Sequence, residues 1–352
     1  MANHTATRIE AWRNIAKSVV MHRVDPGWVP QPHAAHLLVT WRCNLKCVHC
    51  PSWEMDTVNE MSTEDWRTAI SQLHSLDIIK VLGGEPFVRP DIVEILQIIR
   101  DEANPYILQL TTNGMLTRKV VEAVKAVAWP GLQLRISVDG RPDTHNRQRG
   151  VEGSWRKVDA TVQAVSELRK SFDFRFGINF AVTDDSIHEL EDMAKYANQY
   201  GADLIPGVNV DPFLSSPKPP EELSQRLVGL EEPSRALDVI ESTKTGTQRQ
   251  LPGLDHLLSK ALSKNVGRQQ LLDGRLKFPC RELRDLIYVL PNGDLVRCGL
   301  DHRPIGNLKR QRFEEIWYGP NARAGRAKVD SCPGCLQSSV QILSRMYAGK
   351  RH

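Results

Sequence analysis

The sequence lacks the segments that would place it in or across a membrane. No stretch approaches 18 consecutive apolar residues, and the N-terminus MANHTATRIEAW has no positive region followed by an apolar core. We therefore expect no membrane partner and a cytoplasmic location. The 46 basic and 42 acidic residues form no long block of like charge, so no arm for nucleic acid is indicated either.

Cysteine is scarce and unevenly placed. Of seven cysteines, three lie at 43–50, none lies between 51 and 279, and four lie at 280–335. A reducing compartment argues against a disulfide framework, and an odd number of thiols cannot pair completely. The two groups therefore indicate metal or redox use.

Strand-like and helix-like segments alternate through the first two thirds of the chain. The strand candidates are 36–41, 77–84, 106–113, 132–139, 174–182 and 202–208, and the helical candidates are 62–75, 90–102, 116–127, 154–171 and 186–200. Six β–α alternations predict an α/β fold with a parallel sheet and external helices. Curled up, they give a partial (β/α)6 TIM-like barrel; an open doubly wound sheet fits the same pattern.

The remaining segments flank this barrel. The pattern divides the chain into four segments: an N-terminal helical segment at 1–34, a barrel at 35–210, a helical linker or insertion at 211–277, and an α+β module at 278–352. The first includes a helix at 7–20, and the third is a candidate for substrate contact. Within the last module, 285–298 predicts a β-hairpin with Asn292-Gly293 at its turn. Residues 337–349 predict a closing helix.

The first cysteine group is Cys43, Cys47 and Cys50, spaced C-x3-C-x2-C. Three thiolates leave a tetrahedral zinc ion or a four-iron cluster one ligand short. A structural site is normally closed, whereas catalysis requires an open position. A zinc site completed by His49 or by a remote histidine is the alternative.

Four further motifs follow at the predicted strand ends and, together with the cysteines, resemble the radical S-adenosylmethionine (SAM) superfamily. Gly83-Gly84-Glu85-Pro86 follows the second strand, Thr111-Thr112-Asn113-Gly114 ends the third, Ser137-Val138-Asp139-Gly140 ends the fourth, and His145-Asn146-Arg147-Gln148-Arg149-Gly150 resembles the family's HDxxRG stretch. Each motif alone is weak, but their order and spacing carry the resemblance over residues 35–210.

The resemblance implies a 4Fe–4S cluster on the three cysteines, whose fourth iron is chelated by the amino and carboxylate groups of SAM. The implied SAM-binding residues are His49, Gly83, Gly84, Glu85, Pro86, Thr112, Asn113, Ser137, Asp139 and Arg149. Glu85 and the neighbouring backbone would receive the methionine ammonium, and Arg149 would clamp a carboxylate. Groups at the end of the fourth strand would bind the ribose and the carboxylate. His49 stands where an aromatic ring is usual, and Gly177-Ile178-Asn179 only loosely echoes the adenine-binding pattern.

The second cysteine group is Cys280, Cys298, Cys332 and Cys335. A closed zinc site would fit this spacing. The surrounding text, including PNGDLVRCG and the final CPGC, resembles the SPASM module or its shortened twitch form. Four cysteines imply one auxiliary 4Fe–4S cluster ligated entirely by protein, whose expected role is electron transfer.

The resemblance implies a radical SAM oxidoreductase with a flavodoxin- or ferredoxin-type electron donor. SAM would be cleaved reductively to a 5′-deoxyadenosyl radical that abstracts a substrate hydrogen, and the auxiliary cluster would accept the second electron of a two-electron oxidation. Only 35 residues precede the first strand, fewer than the roughly 80 of a peptide-recognition domain, which favours a small polar metabolite such as a sugar or aminocyclitol.

Two alternatives remain open for the reaction. One is a ribosomal-peptide maturase that forms a crosslink or an epimer, and the other is a redox-neutral epimerase or eliminase on a sugar-like substrate. A non-enzymatic barrel stapled by zinc would require every barrel motif to be coincidental. Asp211, His256 and His302 are candidate bases, to which no catalytic role is assigned.

Overall fold

The barrel consists of six parallel strands whose order in the sheet follows their order in the chain. The computed structural model describes residues 4–25, 27–208, 238, 279–299, 301–332, 343, 346 and 347. The strands are β1 (Ala34–Leu38), β2 (Ile78–Leu82), β3 (Ile107–Thr112), β4 (Leu132–Ser137), β5 (Arg175–Val182) and β6 (Asp203–Val208). A doubly wound sheet reverses its strand order at a switch point, whereas β1 to β6 progress in one direction. The predicted partial barrel is confirmed.

Helices cover the outside of this sheet. They are α1 (His4–Val24), α2 (Thr63–Ser71), α3 (Ile92–Ile98), α4 (Thr117–Val127), α5 (Pro142–Arg149), α6 (Ser154–Leu168) and α7 (Leu190–Gln199). Helix α2 begins with a capping box, in which Ser62 and Asp65 each accept a hydrogen bond from the other's backbone N–H. Helix α5 was not predicted. In the part of the chain described, no helix is both long enough and apolar enough to cross a membrane.

The C-terminal module extends the barrel's own sheet. Its elements are β7 (Leu286–Val289), β8 (Asp294–Cys298), β9 (Asp301–Asn307), α8 (Phe313–Trp317) and α9 (Pro320–Asp330). Strand β7 pairs in parallel with β1, and β8 and β9 follow as antiparallel neighbours. The predicted hairpin is confirmed, with Gly293 at φ 87° in its turn. Strand β9 was not predicted.

Several predictions fall on parts of the chain outside the described residues. These are the helical insertion at 211–277 apart from residue 238, the closing helix apart from residues 343, 346 and 347, and Cys335. The three described positions of the closing segment are helical.

The two faces of the barrel strands differ in polarity, as β4 illustrates. Its alternate apolar residues belong to the core beneath the helices: Leu132, Leu134 and Ile136. The intervening residues therefore lie on the opposite face, toward the barrel interior: Gln133, Arg135 and Ser137. The interior of the barrel is thus partly polar.

Candidate active site

The first cysteine loop follows β1 and is held against the end of α5. Backbone N–H groups of Lys46 and Val48 donate to the carbonyls of Arg149 and Gln148 at 3.1 and 2.9 Å. A Cβ on Gly150 would lie 2.2 Å from the Lys46 carbonyl oxygen, and Gly150 also has φ +66°. The glycine that ends α5 is therefore needed for this contact with the cysteine loop.

The cysteine thiols lie among hydrogen-bond donors and influence one another electrostatically. Arg149 Nη1 lies 3.7 Å from Cys47 Sγ, and Asn113 Nδ2 lies 3.9 Å from Cys43 Sγ. The pKa is raised to about 11 at Cys43 and to about 12 at Cys47, mainly by burial and in smaller part by the charge of Cys50. Iron would have to displace these protons to bind, and the guanidinium of Arg149 and the amide of Asn113 would then stabilise the thiolates.

The described residues around the cysteines do not form a ready set of ligands for a single zinc ion. Within the described ranges, no three His, Cys, Asp or Glu side chains are grouped so that they could hold a metal ion. Zinc requires its ligands around a single ion, whereas each thiolate of a four-iron cluster binds its own iron. His49, the proposed fourth zinc ligand, instead has its Nε2 3.9 Å from Asp139 Oδ2.

The two glycines after β2 lie against the backbone that leads into the cysteine loop. A Cβ on Gly83 would lie 2.4 Å from the Thr40 carbonyl oxygen, and one on Gly84 would lie 2.3 Å from that of Arg42. The N–H of Gly84 donates to Thr40 O at 2.7 Å, and the N–H of Glu85 donates to Arg42 O at 2.8 Å. Both N–H groups therefore fix the backbone that leads into the cysteine loop. That this stretch also receives the methionine ammonium stays a prediction.

Glu85 joins the ends of β2 and β3. One carboxylate oxygen accepts from Thr112 Oγ1 at 2.7 Å, and the other accepts from the Asn113 N–H at 2.6 Å. Burial raises the pKa of Glu85 to about 7, although these hydrogen bonds oppose the rise. The side chain of Asn113 continues to Asn44 at 2.7 Å, so a carboxylate predicted to meet an ammonium also positions the cysteine loop.

Asp139 and Arg149 form a buried ion pair beside the cysteines. Arg149 Nη2 lies 2.8 Å from Asp139 Oδ2, and Asp139 Oδ1 accepts from the Ala181 N–H at 2.9 Å. Burial alone would raise the pKa of Asp139, but the positive charge of Arg149 holds it below the usual range. The guanidinium predicted to clamp a SAM carboxylate therefore already binds a carboxylate of the protein.

Buried polar atoms without partners surround this pair. Within the described structure they are His49 Nδ1, His145 Nε2 and Arg149 Nε. Burial lowers the pKa of His145 to about 3, with Arg149 as the next cause, and its Nδ1 accepts from the Asp139 N–H at 3.1 Å. Leaving buried hydrogen-bond donors and acceptors unpaired is energetically costly. Their concentration here is therefore typical of a site that binds a polar ligand.

The predicted site residues thus divide into those in contact and those apart. Chains of contacts join Cys43, Asn113, Glu85 and Thr112, and join Cys47, Arg149, Asp139 and His49. Ser137 ends β4 opposite Asn179 of β5, and Pro86 begins a 3₁₀ turn. The second cysteine group is only partly described: Cys280 and Cys298 are half-buried and Cys332 is exposed.

Of the three candidate bases, the structure describes His302. Asp211 and His256 lie outside the described residues. His302 is buried among Trp41 and Tyr288, and its Nε2 lies 3.2 Å from the Gly299 carbonyl oxygen. A ring enclosed in this way packs β9 against Tyr288 of β7 and against Trp41, which follows β1.

Two family models match the chain, and together they cover more than half of it. The model of the radical SAM superfamily matches residues 37–197, and that of the SPASM iron–sulfur cluster-binding domain matches residues 280–336. The chain therefore contains a radical SAM domain and a SPASM domain. SAM and iron–sulfur clusters are the cofactors of this architecture, and the cysteine loop and its polar surroundings fit them.

Curated relatives act on several kinds of substrate. The chain is 34% identical over 176 residues to the AdoMet-dependent heme synthase of Methanosarcina barkeri, covering 47% of this chain and 48% of that protein. It is 26% identical over 297 residues to the mycofactocin maturase MftC of Mycobacterium tuberculosis, covering 79% and 68%. The PqqA peptide cyclase of Bradyrhizobium diazoefficiens matches at 28% over 185 residues, covering 51% and 47%. The chain thus spans about half the length of the first and third.

Solved structures share the fold at low sequence identity. Streptococcus suis SuiB bound to S-adenosylmethionine matches with a TM-score of 0.62 at 15% identity, covering 89% of this chain and 72% of that one. The enzyme anSMEcpe with bound AdoMet matches with a TM-score of 0.54 at 16% identity, covering 83% and 79%. Both matches extend beyond the barrel alone.

Proposed function

We propose that this chain is a radical SAM maturase that modifies a ribosomally made peptide, by forming a crosslink or an epimer. The observation that carries the proposal is that similarity to a peptide maturase, MftC, extends over 79% of the chain and so beyond the barrel. SuiB, which shares the fold, has also been solved with its precursor peptide SuiA. A peptide is accordingly the substrate class that these similarities support.

The small polar metabolite favoured by the sequence finds no support among these relatives. That expectation depended on the short segment before β1, which begins at Ala34. A peptide can also be presented by a separate recognition protein, so the length of this segment does not select against a peptide.

The residues around the cysteine loop suggest how the chain would hold its cofactors. When bound, SAM and the reduced cluster supply the radical that abstracts a hydrogen atom from the substrate. Cys43, Cys47 and Cys50 would ligate the cluster, with Arg149 and Asn113 donating toward their sulfurs. The ten residues named above as SAM-binding are proposed in that role: His49, Gly83, Gly84, Glu85, Pro86, Thr112, Asn113, Ser137, Asp139 and Arg149.

The ion pair and the carboxylate of Glu85 fix the geometry of this site. Asp139 is fully buried and bound to both Arg149 and the Ala181 N–H, so the guanidinium stays beside Cys47. Glu85 is also buried, and its hydrogen bonds to Thr112 and Asn113 fix the loop opposite. Preorganised groups of this kind orient a substrate without reorganising during the reaction.

We further propose an oxidoreductase outcome, for which the second cysteine group supplies the means. An oxidative crosslink removes two electrons from the peptide, so one must leave through a second acceptor. Cys280, Cys298, Cys332 and Cys335 would hold that auxiliary cluster. The pairing of β7 with β1 brings the hairpin that carries Cys298 onto the barrel sheet. A flavodoxin- or ferredoxin-type donor would reduce the first cluster in the cytoplasm, where thiols stay reduced.

The test is deuterium transfer to 5′-deoxyadenosine. The reconstituted full chain is incubated anaerobically with SAM, a reductant and either a pool of perdeuterated synthetic peptides or a pool of perdeuterated sugars and aminocyclitols. We expect 5′-deoxyadenosine one mass unit heavier with the peptide pool only, and none from the Cys43→Ala/Cys47→Ala/Cys50→Ala variant. Transfer from the sugar pool alone would overturn the proposal in favour of the metabolite.

A further inference from the structure

A layer of polar side chains crosses the interior of the barrel. Residues paired in register point to the same face of a sheet, and one such row runs from β1 to β5. Its members are His36, Lys80, Gln109, Gln133 and Arg175. Arg135 lies one layer nearer the cysteine loop, on the same face of β4. Three of these six side chains are cations.

An apolar cluster closes the barrel below this layer. Its members are Ala34, Ile78, Ile107 and Leu286 from the strands, with Ile15, Leu343, Met346 and Tyr347 from flanking segments. Ala34, Ile78 and Ile107 are in register with one another, one layer below His36 and Lys80. The polar layer therefore lies between this apolar end of the barrel and the carboxyl ends of the strands, where the cysteine loop lies, and we call it the floor. On β1 and β2 the next layer toward that loop is apolar and consists of Leu38 and Leu82.

The charges on this floor are not balanced by the described residues. No hydrogen bond or ion pair is formed by Lys80 Nζ among them, and Arg175 Nη1 and His36 Nε2 are buried there without a partner. Arg135 donates to Gln133 Oε1 at 3.2 Å and interacts with Asp203 of β6. Three cations thus face one carboxylate on the described strands of the interior.

The electrostatics of Lys80 agree with this imbalance. Burial, followed by the charge of Arg135, lowers the pKa of Lys80 to about 7. Burial and the charge of Lys80 hold the pKa of His36 well below its usual value, so the imidazole is neutral. The row also contains Gln109, Gln133 and Arg175. Tyr288 of β7 is paired with His36, and Asp203 of β6 lies one layer nearer the cysteine loop. An anion beside Lys80 would relieve the cost of its buried charge.

We propose that this floor, centred on Lys80 and Arg175 with Arg135 above them, binds a carboxylate group of the substrate. The inference rests on the proposed function, since the occupant is the molecule that reacts beside the cysteine loop. Lys80 precedes Gly83 by three strand residues, a depth of about 10 Å. An acidic side chain or C-terminal carboxylate of a peptide could span that depth, which makes an acidic peptide the substrate class proposed for this floor.

A carboxylate could also come from SAM itself, and depth separates the two sources. The unpartnered atoms near Cys47 lie at the level of the cysteine loop, whereas the floor lies about three residues deeper along β2. A cofactor held at the cluster is therefore not expected to touch Lys80. Its affinity should be insensitive to the loss of this ammonium.

The experiment measures binding of four probes to the anaerobically reconstituted full chain by calorimetry. The probes are glutarate, its neutral diamide, and the blocked peptides acetyl-Ala-Glu-Ala-amide and acetyl-Ala-Gln-Ala-amide. We expect both acids to bind at least tenfold more tightly than their neutral counterparts. Lys80→Met and Arg175→Gln should each weaken acid binding at least tenfold, Lys80→Arg should retain it, and Lys125→Met on the exposed face of α4 should not change it.

Each other outcome has a distinct meaning. Acids that bind no better than amides, or that bind Lys80→Met as tightly as the parent, would overturn the inference. So would a tenfold loss of SAM affinity in Lys80→Met with acid binding unchanged, because the anion would then belong to the cofactor. Binding of glutarate but not of the acidic peptide would support the carboxylate floor while counting against a peptide substrate. Thermal unfolding establishes that each variant is folded, and Lys80→Met removes a buried charge, so its Tm should not fall.

Discussion

Replacing Gly84 by alanine should damage the junction between β2 and the cysteine loop. A Cβ at this position would lie 2.3 Å from the Arg42 carbonyl oxygen and 2.4 Å from that of Trp41. Both obstacles are backbone atoms, so a move to about 3 Å requires the chain at Arg42 to shift by about 0.7 Å. Such a shift also stretches the hydrogen bonds from Gly84 to Thr40 and from Glu85 to Arg42, 2.7 and 2.8 Å long.

The magnitude follows from these two effects. Overpacking costs about 1–3 kcal/mol, and two weakened hydrogen bonds add about 1 kcal/mol each, so we expect a loss of about 3–5 kcal/mol in the free energy of unfolding. Urea unfolding of the apo protein measures it, and iron content after reconstitution should fall as well. Gly207→Ala is the matched control, because a Cβ there meets no atom of the described residues within 4 Å. A Gly84→Ala variant within 0.5 kcal/mol of the parent and with unchanged iron would refute the reasoning.

Three further predictions concern the groups around the cysteines. Gly150→Ala should lower the free energy of unfolding by about 2–4 kcal/mol and reduce iron loading, because the new Cβ would lie 2.2 Å from Lys46 O and the residue has φ +66°. Normal iron loading and stability would contradict this. Asp139→Asn should cost about 3 kcal/mol at pH 7 by leaving Arg149 unpaired. Because the pKa of Asp139 is lowered in the folded state, its contribution to the free energy of unfolding is present above the unfolded-state pKa and disappears as the pH falls through the folded-state pKa. The difference between parent and variant in urea unfolding should therefore shrink below about pH 4. A difference that does not change with pH would count against the ion pair. Burial raises the pKa of Glu85 to about 7, so the folded state holds this proton more tightly than the unfolded state does. The free energy of unfolding of the apo parent should therefore fall by up to about 3 kcal/mol between pH 4.5 and 7, and the Glu85→Gln variant should lack that fall in the same assay. Parallel pH profiles of the two proteins would show that the carboxylate is not desolvated.

Much of the barrel could be predicted from the sequence because its strands carry a strong apolar period between turn signals. All six predicted strands overlap the observed ones, and the Asn292-Gly293 turn identified the hairpin. Helix α5 was missed because its sequence, PDTHNRQR, has no apolar stripe; its residues instead formed part of a motif. Strand β9 was missed because it contains Pro304 and alternates poorly. Both elements are fixed by contacts with distant segments.

The sequence indicated the residue types of the candidate site, but not the contacts that these residues form with other groups of the protein. The sequence associated Glu85 and Arg149 with SAM, whereas the structure also joins each to groups of the protein, Asn113 and Asp139. The cationic floor was not predicted, because one charged residue in a strand resembles a solvated face. Polar residues at alternate positions of consecutive buried strands, such as Lys80 and Arg135, were the available signal, and only the strand register brings them together.

The most direct test of the central claim, that this chain is a two-cluster radical SAM enzyme, is its metal content. Iron, sulfide and zinc are measured after anaerobic reconstitution of the parent, of Cys43→Ala/Cys47→Ala/Cys50→Ala and of Cys280→Ala/Cys298→Ala. We predict about eight irons per chain in the parent and about four in each variant, with reductive SAM cleavage lost only in the first. About four irons with zinc in the parent, and none in the first variant, would contradict the account, because the C-terminal cysteines would then form a structural site that cannot accept an electron.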